Sequence, residues 1–322
     1  MTPTRAMTPT RVAVIGGGRN CEHDVSLASA AAVADALEQA GYHAVRLTID
    51  PTGVWRDPED RPIGLAGAVH ALRSCAAAFP MLHGRHGEDG TMAALCDLAD
   101  VTWVGSPLGA GALAMDKWVT KLVAGALGIA TAPGRLLGRA SADSYAFTHP
   151  VVVKPVAAGS SFGVTLVRDA AMLGPALDAA FAHDDRVLVE DLVVGREIDL
   201  AVLGRPDGSR VVAPALEIVV PDGEIFDHAA KYGGSPDFLI PAPLDDVARK
   251  QLEQAAVSLY DGLGCAGVAR VDFFLTAQGP VLNEVNTTPG FTAQSQVPRM
   301  FAATGMSFPA LLDLLVRDAL PA

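Results

Sequence analysis

Short buried strands alternate with helices in the first hundred residues, and this alternation constrains the fold more than any other feature. Val12 to Ile15 is a strand that leads into a run of glycines, and an alanine-rich helix from Ser26 to Ala40 follows. His43 to Ile49 and Ala77 to Leu82 continue the strands, and Thr91 to Leu98 is a second helix. Such alternation builds a parallel sheet covered by helices, so we predict an N-terminal α/β unit.

Beyond this unit the pattern changes to strand-rich sequence. A helical segment from Ser106 to Leu127, broken by Gly111 and by Met115-Asp116, separates the two parts. The predicted strands that follow are Pro150 to Lys154, Gly163 to Val167, Arg186 to Glu190, Glu197 to Leu203, Arg210 to Val220, Gly267 to Leu275 and Pro280 to Val285. The predicted helices are Ala170 to Ala182, Asp245 to Leu263 and the segments from Val297 onward. The loop from Asp222 to Pro243 is long for a compact domain, which favours a functional lid.

Composition limits the functional class. The 36 acidic and 24 basic residues give a formal charge of −12, so no basic surface for nucleic acid or an anionic membrane is expected. The four cysteines stand far apart, at Cys21, Cys75, Cys96 and Cys265, which fits a reducing compartment. No apolar run reaches the length of a membrane span. We expect a cytoplasmic protein whose residues 1–11, which contain a repeated pentapeptide, form a disordered extension.

Two glycine-rich segments each allow more than one interpretation. The glycines at 16–18 follow a strand as in dinucleotide-binding proteins, but Cys21 stands where the third glycine would fall, so backbone conformation is the favoured explanation. Gly159-Ser-Ser161-Phe-Gly163 matches the nucleophile elbow of serine hydrolases. An elbow requires a helix directly afterwards, whereas a strand is predicted here. A loop that folds over phosphate oxygens, with Lys154 beside it, is therefore the better hypothesis.

Oxygen-bearing side chains cluster on two neighbouring predicted strands. If these strands pair, Asp272, Glu284 and Asn286 come together, and Arg270 lies on the same face as Asp272. The alternative is a hairpin with a solvated polar face. The flanking residues are apolar, however, and packed carboxylates without a cation would repel one another. We therefore predict a magnesium site completed by phosphates. The pair His83 and His86 lies in a glycine-rich segment and is interpreted as part of a turn.

The chain carries many short motifs in one order. They are Glu22-His-Asp-Val-Ser26, His83-Gly-x-x-Gly-Glu-Asp-Gly90, Ala114-Met-Asp-Lys117, Val153-Lys-Pro155 with Gly159-Ser-Ser161, Gly195-Arg-Glu197, Ala230-Lys-Tyr232, Ala269 to Phe274, and Asn283-Glu-Val-Asn286 with Pro289-Gly290. Through these motifs the sequence resembles the D-alanine:D-alanine ligases of the ATP-grasp superfamily, over nearly the whole chain. The resemblance implies an α/β fold with a three-domain ATP-grasp architecture and an N-terminal parallel sheet. We divide it at 12–112, 113–195 and 196–322.

The same resemblance implies the site residues. Those implied to bind ATP are Lys117, Lys154, Ser160, Ser161, Glu190, Asp191, Val193, Glu197, Lys231, Phe274 and Asn283. Those implied to bind the amino acids are Glu22, His83, Lys231, Ser295 and Gln296. Those implied to act in catalysis are Glu22, Ser160, Tyr232, Arg270 and Gly290, and the implied metal ligands are Asp272, Glu284 and Asn286. The implied cofactors are ATP and two Mg²⁺ ions, with Mn²⁺ as a substitute, and we expect a homodimer.

The implied reaction joins two D-alanine molecules through an acyl phosphate to supply cell-wall precursors. Tyr232 stands where D-lactate-using relatives tend to have phenylalanine, which favours an amine as the second substrate. Gln296 replaces a usual leucine, so we expect it to bond to the substrate, a neighbour or water, and to let a small polar D-amino acid such as D-serine compete. The alternatives are a related D-amino-acid ligase with a different second substrate, such as D-serine, and a nucleotide-binding module that has lost catalysis. The complete set of Lys117, Lys154, Arg270, Asp272, Glu284 and Asn286 argues against the module.

Overall fold

Three β-sheets organise the computed structural model, which describes residues 9–219 and 237–321. The strands are β1 (Arg11–Gly17), β2 (His43–Ile49), β3 (Trp55–Arg56), β4 (Ala77–Pro80), β5 (Ala130–Thr131), β6 (Gly134–Gly138), β7 (Val151–Pro155), β8 (Thr165–Val167), β9 (Arg186–Asp191), β10 (Arg196–Gly204), β11 (Arg210–Val212), β12 (Leu216–Val219), β13 (Asp237–Leu239), β14 (Val268–Thr276) and β15 (Gly279–Asn286). The helices are α1 (His23–Gln39), α2 (Gly64–Arg73), α3 (Thr91–Leu98), α4 (Leu108–Met115), α5 (Lys117–Ala126), α6 (Arg139–Ala142), α7 (Leu173–Phe181), α8 (Asp246–Leu263), α9 (Gln296–Ala302) and α10 (Phe308–Ala319).

The first sheet has the strand order β3-β2-β1-β4 and confirms the predicted parallel pairing at the N-terminus. Strand β1 pairs in parallel with both β2 and β4. Helix α1 packs closely on β1, because a Cβ at Gly16 would lie only 2.5 Å from the Cβ of Ala30. Gly17 has a φ of 90° and lies against the Ile49 carbonyl. These glycines therefore serve close packing and turn geometry, as the sequence interpretation favoured.

The second and third sheets form the walls of the site. The second sheet is antiparallel, with the order β6-β9-β7-β8, and α7 covers one of its faces. The third has the order β13-β12-β10-β14-β15-β5, with β11 beside β10. One face of the third sheet packs on α8, α4 and α5. Strand β5 pairs with β15, so residues 108–131 join the core of the third sheet.

Several predicted elements differ from the observed ones. Gly111 lies inside α4 and does not break the helix, whereas the break at Met115-Asp116 is confirmed. The predicted strand Arg210 to Val220 is two strands, separated at Pro214, whose missing N–H cannot join a ladder. The predicted lid loop contains β13, and residues 220–236 lie outside the described part of the chain. Strand β1 begins at Arg11, inside the predicted extension.

Candidate active site

A cleft with a volume of about 1460 Å³ lies between the second and third sheets and reaches the start of α1. Of the residues that the family resemblance implies for the site, nineteen line this cleft. The remaining two, Lys231 and Tyr232, lie outside the described part of the chain. The nineteen are Glu22, His83, Lys117, Lys154, Ser160, Ser161, Glu190, Asp191, Val193, Glu197, Arg270, Asp272, Phe274, Asn283, Glu284, Asn286, Gly290, Ser295 and Gln296.

Lysine ammonium groups line one end of the cleft. Lys117 begins α5, and its Nζ donates to the Ala158 carbonyl at 2.8 Å and lies 3.3 Å from the Glu284 carboxylate. Lys154, at the end of β7, places its Nζ 2.5 Å from Glu190 Oε2 and 3.4 Å from Asn283 Oδ1. Both side chains are about nine-tenths buried. Two cations fixed in this way can receive the phosphates of a nucleotide.

A third lysine, Lys121, was missed in the sequence. It lies one helical turn after Lys117 on α5, and its Nζ contacts the Glu190 carboxylate and the Ala132 carbonyl. Burial would raise the pKa of Glu190, but Lys154 and Lys121 outweigh it and hold this pKa below its usual value. Burial lowers the pKa of Lys121 despite the Glu190 contact. The Glu190 side chain thus bridges two lysines. Lys121 lies four residues after Lys117, a spacing that places the two side chains on the same helix face and could have indicated a role for Lys121.

The hairpin of β14 and β15 brings the predicted metal ligands together. Asp272 is directly opposite Glu284, and Arg270 is opposite Asn286. Arg270 binds Asp272 through two hydrogen bonds of 2.7 Å, and Asn286 Nδ2 donates to the same carboxylate at 3.0 Å. Burial opposes the charge of Arg270, but Asp272 and Asp199 raise its pKa far above the usual value. Arg270 therefore stays fully charged in the cleft.

A register shift beside Asp272 gives this hairpin its shape. Asp272 pairs with Glu284, whereas the next residue, Phe273, pairs with Leu282, so Asn283 is an extra residue in β15. Both Asn283 and Glu284 line the cleft, which strict alternation would forbid. The donor set of two carboxylates and an amide oxygen fits a hard divalent cation. No group of three His, Cys, Asp or Glu residues with metal-site geometry occurs in the described residues.

The loop between β7 and β8 reaches across to the start of α1. Ser160 Oγ donates to Glu22 Oε1 at 2.5 Å, and a Cβ at Gly159 would lie 2.5 Å from Glu22 Oε2. The Glu22 side chain is buried. A strand, β8, follows this loop, so the helix required by a nucleophile elbow is absent at this described position. The loop therefore contacts Glu22 through Ser160. The serine hydrolase interpretation is not supported.

Side chains of the N-terminal unit contact the turn after β15. His83 Nδ1 lies 2.9 Å from the Thr288 carbonyl oxygen, and its Nε2 lies 3.0 Å from Ser29 Oγ. His83 immediately precedes the bend and turn of residues 84–90, and both of its ring nitrogens are engaged; its implied contact with the amino-acid substrate stays a prediction. Glu88, which the sequence interpretation did not single out, accepts hydrogen bonds from the N–H groups of Gly84 and Thr288.

Gln296 is the first residue of α9, and Ser295 directly precedes it. Both residues line the cleft. Gln296 Nε2 donates to Asp199 Oδ2 at 2.8 Å, so its partner is a neighbouring residue, one of the three possibilities expected. Ser295 Oγ accepts from the Thr292 N–H at 3.0 Å. Asp199 is buried and was also missed in the sequence. Asp199 lies two residues after Glu197 on β10 and therefore on the same face of the strand. This spacing could have indicated that Asp199 belongs to the site.

The two facing sheets and the lysine-lined cleft between them define an ATP-grasp fold. Residues 11–106 match the family description "D-ala D-ala ligase N-terminus", and residues 139–317 match "D-ala D-ala ligase C-terminus". This chain therefore belongs to the D-alanine:D-alanine ligase family. No helix of the described residues is long and apolar enough to cross a bilayer.

Curated relatives and solved structures agree with this assignment. The D-alanine–D-alanine ligase of Anaeromyxobacter dehalogenans is 42% identical over 319 residues, covering 97% of this chain and 97% of the relative. That of Nocardia farcinica is 39% identical over 351 residues, covering 96% and 97%. The VanG D-Ala:D-Ser ligase of Enterococcus faecalis has a TM-score of 0.84 at 33% identity, covering 96% of this chain and 99% of that structure.

Proposed function

We propose that this protein joins two D-alanine molecules into D-alanyl-D-alanine with hydrolysis of ATP to ADP and phosphate. The observation that carries the proposal is that one cleft contains three separately built groups. Lys117 and Lys154 offer ammonium groups to phosphates, and Glu22 offers a buried carboxylate to an amino group. Arg270 offers a fixed positive charge to a developing oxyanion. This is the set that phosphoryl transfer followed by acyl transfer requires.

The reaction needs no protein nucleophile. The carboxylate of the first D-alanine attacks the γ-phosphorus of ATP, and ADP leaves. The amine of the second D-alanine then attacks the acyl carbon, and the tetrahedral intermediate loses phosphate while the amine loses a proton. Glu22 and Ser160 orient the first substrate, while Arg270 and the Gly290 amide stabilise the oxyanion. Positioning and charge neutralisation therefore provide the rate enhancement.

The remaining roles concern the nucleotide and the metal. Asp272, Glu284 and Asn286 would hold Mg²⁺, as two ions or with Mn²⁺ in place of Mg²⁺, and the cation neutralises phosphate charge. The segment 190–193 borders adenine, and Glu197 binds the ribose. Phe274, which also contacts the nucleotide, is the residue paired with Glu197 between β10 and β14. Lys231 is proposed to bind ATP and amino-acid substrate, and Tyr232 to act in catalysis as a partner of the first D-alanine; both lie outside the described residues. We further propose that the enzyme works in the cytoplasm, since its four cysteines are unpaired. By family resemblance alone, we also propose that it forms a homodimer.

The experiment is to measure phosphate release from ATP with a panel of D- and L-amino acids and to identify each product by mass. The proposal expects release with D-alanine, a product of the mass of D-alanyl-D-alanine, and no release with L-alanine. Glu22→Gln keeps the shape of the side chain but removes the charge that attracts the ammonium group, and it should raise the KM for the first D-alanine. Product formation without ATP would reject the proposal.

A further inference from the structure

The turn that carries Gly290 is held on both sides by side chains from the N-terminal unit. It follows β15 and spans residues 288–291, in which Pro289 has no N–H. The other three residues each carry one N–H. Those of Thr288 and Phe291 donate to side chains, whereas the N–H of Gly290, which lines the cleft, has no acceptor within the described part of the chain.

Thr288 is held by two side chains from the segment between β4 and α3. Its carbonyl oxygen lies 2.9 Å from His83 Nδ1, and its N–H donates to Glu88 Oε1 at 3.3 Å. A carbonyl can only accept, so His83 Nδ1 carries the proton. The other nitrogen, Nε2, then accepts from the hydroxyl of Ser29 at 3.0 Å. The two peptide groups that flank the Thr288 Cα are therefore each fixed from outside the third sheet.

Ser29 closes the arrangement on the other side of Gly290. Its Oγ accepts the Phe291 N–H at 3.3 Å while its hydroxyl donates to His83. Ser29 and His83 are only 1% and 4% exposed, so neither bond exchanges freely with water. Burial lowers the pKa of His83. The neutral ring is the form that can donate through one nitrogen and accept through the other.

We propose that Ser29, His83 and Glu88 are positioning residues that hold the Thr288–Phe291 turn, so that the Gly290 N–H points at the oxyanion of the tetrahedral intermediate. This inference rests on the proposed ligase function. Oxyanion donors act well only when they are fixed before the reaction. The turn belongs to the third sheet, whereas all three side chains belong to the N-terminal unit. The N-terminal unit thus contributes to acyl transfer as well as to binding of the first substrate.

A pair of serines on α1 provides a matched test. Ser26 and Ser29 are both buried, and each hydroxyl accepts one backbone N–H and donates one hydrogen bond. Ser26 bonds to Gly17 and Met81, which do not belong to the turn. Ser29→Ala should lower kcat about ten- to a hundredfold, because a small misplacement of a catalytic group costs up to about a hundredfold. Ser26→Ala should leave kcat unchanged within about twofold and lower the unfolding temperature similarly.

A second measurement separates positioning from a structural role. Affinity for a phosphinate analogue of the tetrahedral intermediate should fall in Ser29→Ala in parallel with kcat/KM, while the KM values for ATP and the first D-alanine stay within about twofold. Glu88→Gln, which keeps one acceptor oxygen of the two, should show a smaller loss of the same kind. The inference is overturned if both variants keep normal kcat, or if Ser26→Ala loses as much. Failure of the native protein to make dipeptide would instead reject the proposed function.

Discussion

Gln296 donates its side-chain N–H to the buried carboxylate of Asp199, with 2.8 Å between Nε2 and Oδ2. The Nε of Arg270 lies 3.6 Å from the same oxygen. Asp199 therefore connects Arg270, proposed to stabilise the oxyanion, to Gln296, which the family resemblance implies lies beside the second substrate. One of the two Nε2–H groups of Gln296 is engaged in this way, and its side-chain carbonyl oxygen is a hydrogen-bond acceptor.

Substitution of Gln296 should alter the choice of second substrate. The side-chain hydroxyl of D-serine can donate to the Gln296 carbonyl, whereas the methyl side chain of D-alanine cannot. Gln296→Leu should therefore lower the ratio of kcat/KM for D-serine to that for D-alanine by several fold to about tenfold, since one net hydrogen bond contributes about 1 kcal/mol. The measurement uses both amino acids at the second site under saturating first substrate. An unchanged ratio would show that Gln296 does not contact the second substrate.

Removal of Arg270 should affect turnover far more than nucleotide binding. Arg270→Ala should lower kcat by about a hundred- to a thousandfold, as expected for loss of an oxyanion donor. It also leaves Asp199 and Asp272 directly opposite each other without their cation, so the free energy of unfolding should fall by about 3 to 5 kcal/mol. Arg270→Lys separates the two effects, because it restores the charge without the paired hydrogen bonds. A loss confined to the KM for ATP would contradict this role.

The metal assignment predicts loss of turnover in Asp272→Asn and Glu284→Gln. Each change removes one carboxylate charge facing the cation while keeping the side-chain shape. Activity should fall to background with Mg²⁺, and circular dichroism should remain that of the native protein. Isothermal titration of Mg²⁺ in the presence of ADP gives a second readout. Near-normal activity of both variants at saturating ATP and Mg²⁺ would refute the assignment.

Gly159→Ala should weaken binding of the first substrate. The added Cβ would lie 2.5 Å from Glu22 Oε2, so the carboxylate must move away from its bond with Ser160. We expect the KM for the first D-alanine to rise at least about tenfold, by analogy with other small misplacements in active sites, with a smaller change in the KM for ATP. Gly174→Ala is the control, because a Cβ there meets nothing within 4 Å. Equal effects of the two substitutions would count against the Glu22 assignment.

Glu88 should make stability depend on pH. Burial, and then the Glu22 carboxylate, raise its pKa to about 8 from the ordinary glutamate value of 4.5. The folded state therefore binds a proton more tightly than the unfolded state, and this contribution to stability is lost as pH rises from about 4.5 through about 8. Thermal unfolding should show a steeper fall over this range in the native protein than in Glu88→Gln. Parallel curves would contradict a raised pKa.

Sequence reasoning predicted the parallel N-terminal sheet and the β14–β15 hairpin because both depend on local periodicity. The apolar strands alternate with helices, and the polar residues Asp272, Glu284 and Asn286 recur at strand spacing. The register shift at Asn283 was not predictable in this way, because an alternating pattern does not show where an extra residue is inserted in a strand. Short strands such as β3 and β5 were missed for a similar reason. Two residues carry too little pattern to be recognised.

Long-range pairing explains the other omissions in the site. Lys121, Asp199 and Glu88 are single polar residues whose partners lie far away in the sequence. Spacing from Lys117 and from Glu197 places Lys121 and Asp199 on the faces of those residues. Spacing alone does not show that a residue is buried, so a solvated face was the default. The Gly111 prediction was wrong because a glycine inside a helix costs only about 1 kcal/mol, and here it permits close packing against Gly90.

Helix α10 packs on the first helix of the chain and on the sheet beside it. Leu311, Leu315 and Val316 share one apolar core with Val33 and Leu37, and the Tyr42 hydroxyl donates to Asp313 at 2.8 Å. During synthesis, the last strand of the N-terminal sheet ends at Pro80, more than two hundred residues before this covering helix begins at Phe308. One face of the N-terminal sheet must therefore stay exposed, or be covered transiently, until α10 has been synthesised. Completion of the core around the N-terminal sheet thus depends on a helix that is synthesised much later.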